Sequence, residues 1–216
     1  QGVQGVWPRF FSAHRRFDQL RELVRGCFSR EWKASLQHTL WMLRNWNEAS
    51  MVNAISRFCK KNDAFLIVKS RRKDLVRPYL EEIADLVLHD ESNYPATIYD
   101  ALSIADLCIH FYSTVILEAA VASVPGLNVH RPNPLKGKKG EIAHKLWRLR
   151  QPGSAFNFAG VSAMWDIPTV MKRLPKTPLS EFRIDEERRR TYIEKYLGWA
   201  DGKASERVLD AVQALH

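Results

Sequence analysis

The stretch from Ile98 to Arg131 limits what this chain can fold into more than any other part of it. Two short apolar runs, Leu107-Cys-Ile109 and Leu127-Asn-Val129, are each bounded by turn residues. Such runs read as parallel strands covered on both faces. A short helix is expected from Ile98 to Ala105, and a second from Val115, with Ser113-Thr114 placed to cap it. A strand that runs straight into a Ser/Thr-capped helix leaves free backbone N–H groups at the helix start, on the ligand side of an α/β sheet. That arrangement suits a phosphate. Thr114 and Glu118 are four residues apart, so they share a helix face about 6 Å apart along the axis. A phosphate held at Ser113 or Thr114 would leave Glu118 within reach of a ribose hydroxyl. The plainer alternative makes Ser113 an N-cap only and Glu118 a solvated helix residue.

The same alternation precedes this stretch. Ala64-Phe-Leu-Ile-Val68 reads as a strand that ends in the cations Lys69, Arg71, Arg72 and Lys73, at the end of a parallel strand where α/β folds place ligands. The alternative is a solvated charge run. A helix from Leu75 to Ala84 and a strand at Leu86-Val-Leu88 follow. Strand and helix thus alternate at the spacing of a parallel sheet, and the expected class is α/β, a Rossmann-like parallel sheet with helices on both faces.

Outside this core the signals are weaker. Gln1 to Phe11 has no clear period, His14 to Phe28 forms a basic amphipathic stripe, and Leu36 to Lys61 is helical and rich in tryptophan. Residues 1–35 are read as an N-terminal linker and basic helix, and 36–216 as the Rossmann-like domain with C-terminal helices. The basic run Pro134-Leu-Lys-Gly-Lys-Lys-Gly140 is not a Walker loop, because no Ser or Thr follows its Gly-Lys. Leu146 to Arg150 reads as helix, Phe156-Asn-Phe158 as an edge strand, and Pro175 and Pro178 mark a boundary. The tail from Asp185 is strongly helical, with Asp185–Arg189 and Glu186–Arg190 as i, i+4 pairs and Gly198 as a C-terminal cap. A last helix, Ala204 to Leu215, is expected to turn Val208, Leu209, Val212 and Leu215 inward.

Composition bounds the function. With 216 residues, 45% hydrophobic and 26% charged, the chain has room for one substantial core. No apolar run approaches the roughly 20 residues that span a bilayer. The three cysteines, Cys27, Cys59 and Cys108, form no CxxC pair, so reduced thiols are expected and a zinc site is not. A formal charge of +9 calls for a polyanionic partner. No nucleic-acid-binding pattern accompanies it, so diphosphates, anionic glycans and acidic lipid surfaces fit better than nucleic acid.

One run gathers these features. Ala105-Asp106-Leu107-Cys108-Ile109, Tyr112-Ser113-Thr114, Leu117-Glu118-Ala119 and Val124-Pro125-Gly126 together resemble the C-terminal, nucleotide-sugar-binding domain of GT-B glycosyltransferases. Within that fold the run looks most like enzymes of surface-polysaccharide and teichoic-acid assembly, including CDP-glycerol glycerophosphotransferases. Asp201-Gly-Lys-Ala-Ser-Glu-Arg207 is similar to the closing segment of polysaccharide-assembly enzymes. The two matches cover roughly half of the chain. A departure is visible at Lys69: those families usually carry Lys-x-His-Pro, whereas Ser70 and Arg71 follow Lys69 here.

The resemblance implies a donor-binding domain of a glycosyltransferase or glycerophosphotransferase, inverting, in cell-surface polysaccharide assembly. It implies donor contacts at Ser113, Thr114 and Glu118, with Lys69, Arg71 or Arg131 as auxiliary cations. The donor would be a nucleotide-activated sugar or CDP-glycerol, and the acceptor an anionic glycan or a lipid-linked one. No separate cofactor is expected, and with no Asp-x-Asp motif the transfer is expected to be metal-independent. The location implied is cytoplasmic, at the inner face of the membrane. A GT-B enzyme needs two Rossmann-like halves, so the chain would supply half of the catalytic unit and the missing N-terminal domain the rest. No catalytic base is assignable; His110 and His14 are the residues to weigh. A non-hydrolysing nucleotide-sugar epimerase-like domain, or a non-catalytic domain that binds an anionic surface or nucleic acid, are the alternatives.

Overall fold

The computed structural model describes residues 48–70, 78–88, 97–130 and 148–214. The basic helix at 14–28, the loop at 134–140 and the candidates His14, Arg71 and Arg131 lie outside these residues. The described residues group into two units, one of 48–70, 78–87 and 166–177, the other of 88, 97–130, 148–165 and 178–214. The architecture is α/β, with small sheets flanked by helices.

The first unit is built on helix α1, Glu48–Lys61. Met51, Ile55, Phe58 and Cys59 recur at helical spacing and are buried, with Val52 and Ala54 beside them. The helix stops at Asn62, whose Nδ2 donates to the Phe58 carbonyl at 2.8 Å, and at Asp63, which takes a left-handed φ of 51°. Helix α1 packs on α2 (Pro78–Ile83) and α3 (Ile167–Arg173). Asp166 caps α3 by accepting from the Thr169 amide at 2.8 Å. Strands β1 (Ile67–Lys69) and β2 (Leu86–Leu88) form a two-stranded sheet, and Asp85 anchors its start by accepting from the Leu66 amide at 2.7 Å.

In the second unit, β3 (Cys108–His110), β4 (Gly126–His130) and β5 (Ser162–Asp166) form a three-stranded sheet in that order. Strands β3 and β4 are parallel, with Cys108 opposite Gly126 and His110 opposite Asn128. Helix α4 (Ile98–Ser103) precedes β3, and α5 (Val115–Val121) crosses from β3 to β4. The crossover is tight. A Cβ at Gly126 would run into the Ile116 Cδ1 atom, so the glycine lets α5 lie directly on the strand. Helix α5 ends with Ser123 at a φ of 59°, and the Val124 amide donates back to the Ala119 carbonyl at 2.8 Å, a Schellman-type closure. Ile116, Ala119 and Ala120 of α5 are fully buried against Phe156, Phe158 and Tyr192. Tyr192 comes from α6 (Glu186–Tyr196) and donates its hydroxyl to the Ala155 carbonyl at 2.9 Å.

Several expectations change here. The described strands form two sheets where one was expected. Strand β4 is buried nearly throughout, as read, but β3 is half-buried and lies at the edge of its sheet among the described residues. Phe156 and Phe158 form no continuous strand: Phe158 makes only an isolated antiparallel bridge to Ser162, Phe156 lies within the Ser154–Asn157 bridge, and both put their rings into the core. The strand is at β5 instead. Asp185 does not pair with Arg189; it caps α6 by accepting from the Glu187 and Arg188 amides at 3.0 Å each, since orphan amides at a helix start lie nearer than a side chain one turn on. Arg189 pairs with Glu186 at 2.8 Å and donates to the Ala120 carbonyl of α5 at 3.2 Å. On the last helix, α7 (Ala204–Gln213), Val208, Leu209 and Val212 are exposed, at 64%, 56% and 49%, not inward. An amphipathic period specifies an apolar stripe; whether anything covers it is set by tertiary packing.

Candidate functional site

The residues singled out around the turn after β3 all fall in the second unit. His110 ends the strand, Phe111 to Thr114 make the turn, and α5 carries Glu118 one turn further on. The turn depends on Tyr112, which adopts a left-handed φ of 45°. For a non-glycine aromatic residue that conformation is uncommon and needs support from its surroundings.

Two side chains at the strand ends supply that support. Asn128 Oδ1 accepts from the Tyr112 amide at 2.7 Å, and His110 Nδ1 accepts from the Ser113 amide at 3.3 Å. Ser113 Oγ in turn accepts from the Val115 amide at 3.3 Å, whereas Thr114, the N-cap residue of α5, makes no side-chain capping bond, so only Ser113 of the expected pair serves the helix start. The amides of Tyr112 and Ser113 are therefore engaged within the protein. The Thr114 amide has no partner among the described residues, and Thr114 is exposed. The donors of the turn without a protein partner among the described residues are this amide and the two hydroxyls, a smaller set than the open helix start expected from the sequence.

His110 is 4% exposed, and burial lowers its pKa to about 4, so the ring is neutral near pH 7. With Nδ1 an acceptor, the proton resides on Nε2. Neither nitrogen then offers a lone pair to an acceptor hydroxyl, and the arrangement ties His110 to the turn. The His110 Nε2 and Asn128 Nδ2 atoms are buried and have no hydrogen-bond partner among the described residues.

Glu118 is half-buried on α5, where burial raises its pKa. Its charge also helps to raise the pKa of the Cys108 thiol, to about 11, after the larger effect of burial. Glu118 makes no ion pair among the described residues. A carboxylate that is partly desolvated and lacks a cation is available to accept from a ligand hydroxyl.

Two residues that the sequence reading did not assign belong to this turn. Asn128 is one, and a polar residue between the buried Leu127 and Val129 was the available signal. Arg150 is the other: its Nε donates to the Tyr112 hydroxyl at 3.0 Å, and the Tyr112 ring lies edge-on to Phe156 at 5.4 Å. Lys69 ends β1 in the first unit, where its Nζ donates to the Ser70 carbonyl at 2.8 Å. No group of three His, Cys, Asp or Glu residues that could hold a metal occurs among the described residues. No described helix is long and apolar enough to cross a membrane.

No family model matches the chain, and no characterised protein and no solved structure is significantly similar to it.

Proposed function

We propose that the chain is the donor-binding domain of a GT-B-type transferase that uses a nucleotide-activated sugar or CDP-glycerol in cell-surface polysaccharide assembly. One observation carries the reading. A parallel strand ends in a turn that carries the half-buried Ser113 and the exposed Thr114, and the helix that follows carries, one turn on, a half-buried carboxylate with no ion-pair partner among the described residues. Phosphate and ribose of a nucleotide need those two groups at about that separation: neutral donors at the phosphates, and an acceptor set back from them.

In this reading Ser113 and Thr114 hold a phosphate of the donor, and Glu118 accepts from the ribose. Arg150, which donates to the Tyr112 hydroxyl, is proposed as an auxiliary cation. Stabilising the leaving diphosphate is the part of the chemistry this chain supplies. The base that activates the acceptor hydroxyl comes from another domain, so transfer needs that domain as well. The net charge of +9 suits an anionic glycan or lipid-linked acceptor at a membrane surface.

Calorimetric titration of the purified chain with CDP, UDP and GDP tests this. The expected result is saturable binding of at least one diphosphate, and weaker binding of the matching nucleoside. Steep salt-dependent binding of RNA with no response to any nucleoside diphosphate would replace the reading with a nucleic-acid-binding one.

A further inference from the structure

His110 and Asn128 face one another across the parallel β3–β4 pair, at the strand ends. Directly paired residues of a sheet project to the same side, so the two side chains stand together. Each spends its acceptor on a successive amide of one turn, Asn128 Oδ1 on Tyr112 and His110 Nδ1 on Ser113. The residue between those bonds is the left-handed Tyr112. A left-handed residue turns neighbouring N–H groups towards a common side, where an anion could lie between them. Here the protein's own acceptors take those amides. Both side chains are buried, His110 at 4% exposure and Asn128 at 0%, which fixes their rotamers and keeps water from competing.

We propose that His110 and Asn128 are positioning residues that lock the turn in its left-handed form. They withdraw the Tyr112 and Ser113 amides from any ligand, so that a phosphoryl group is held by the Thr114 amide and the Ser113 and Thr114 hydroxyls. The second half of this statement rests on the phosphate-binding reading above; the locking itself does not.

The test uses the full chain in three forms: wild type, His110→Asn and His110→Leu. Asparagine keeps an acceptor oxygen close to the place of Nδ1, whereas leucine has similar bulk and no acceptor. Amide hydrogen exchange is read at Tyr112, Ser113 and Thr114, and CDP, UDP and GDP affinities are measured alongside. In the wild type the Tyr112 and Ser113 amides should exchange at least about tenfold more slowly than that of Thr114. His110→Asn should keep the Ser113 protection and hold affinity within about threefold, while His110→Leu should lose the protection and about tenfold in affinity. A folded His110→Leu with wild-type exchange or wild-type affinity overturns the inference. If His110→Leu does not fold, the wild-type comparison decides, and equal exchange at all three amides overturns it. If the wild type binds none of the diphosphates, the functional reading fails, and the exchange data still decide the locking.

Discussion

Replacing Glu118 with alanine separates a donor-site carboxylate from a structural one. Glu118 makes no ion pair among the described residues, and burial alone raises its pKa. Its charge is therefore a cost to the fold, and no described partner is orphaned when it goes. Stability should change by less than about 1 kcal/mol, which for a chain of this size is a Tm change below roughly 4 °C. Affinity should respond quite differently. A charge-assisted hydrogen bond to a ribose hydroxyl is worth about 1–3 kcal/mol, so a nucleoside diphosphate should bind roughly 5- to 150-fold more weakly to Glu118→Ala. Glu118→Gln should retain part of that affinity, because the amide oxygen still accepts, and should be no less stable than the wild type at pH 7. Calorimetry of all three forms with CDP, UDP and GDP, alongside thermal melts, supplies both numbers. Unchanged affinity in Glu118→Ala, or a variant that no longer folds, would refute the reasoning and make Glu118 a structural residue.

Three further outcomes follow from the same packing. His110 has a folded-state pKa of about 4 against an ordinary 6.5, so it contributes fully above pH 6.5 and loses its contribution as the pH falls towards 4. At about 1.4 kcal/mol per pH unit the loss is at most about 3 kcal/mol, and denaturant unfolding at pH 7 and pH 4.5 should show a shallower fall in His110→Asn, which does not titrate. Gly126→Ala should destabilise by about 1–3 kcal/mol through its clash with the fully buried Ile116, and Ile116→Val, which lacks the clashing methyl, should recover part of it in a double-mutant cycle. Tyr192→Phe should cost about 1–2 kcal/mol in chemical denaturation, because it strips the Ala155 carbonyl of its hydroxyl partner; a cost near zero would mean that the carbonyl is readily satisfied another way.

What the sequence made legible was local. The strand at Leu86–Leu88, the helix from Val115 and the left-handed Gly198 after α6 all follow from short-range signals, and each is found. Strand β5 was missed because Ser162-Ala-Met-Trp-Asp166 has no β-branched residue and no clear alternation. Phe156 and Phe158 were misread for the opposite reason: aromatic residues favour strands, but these are placed by turns that deliver their rings to Tyr112 and Tyr192. The apolar stripe of α7 was plain in the sequence, yet its burial depended on a partner surface that a sequence does not specify. At the site, the Ser113 bond to the Val115 amide was readable because it spans two residues, although the N-cap residue itself, Thr114, makes no side-chain capping bond. The support of Tyr112 by Asn128 was not, since it joins residues 16 apart and requires the β3–β4 register. That register also places His110 and Asn128 together, which reduces an apparently open helix start to one amide and two hydroxyls.

The central claim is that a nucleoside diphosphate sits on the Ser113–Thr114 turn with Glu118 at its ribose. Titrating CDP, UDP and GDP into the isotope-labelled chain, while following backbone amide and side-chain signals residue by residue, tests it most directly. The account predicts that at least one of the three saturates. The largest changes should fall at Thr114 and the start of α5, with the Glu118 carboxyl signal shifting along the same curve. No change at these residues at saturating nucleotide, or changes centred on the first unit, would contradict it.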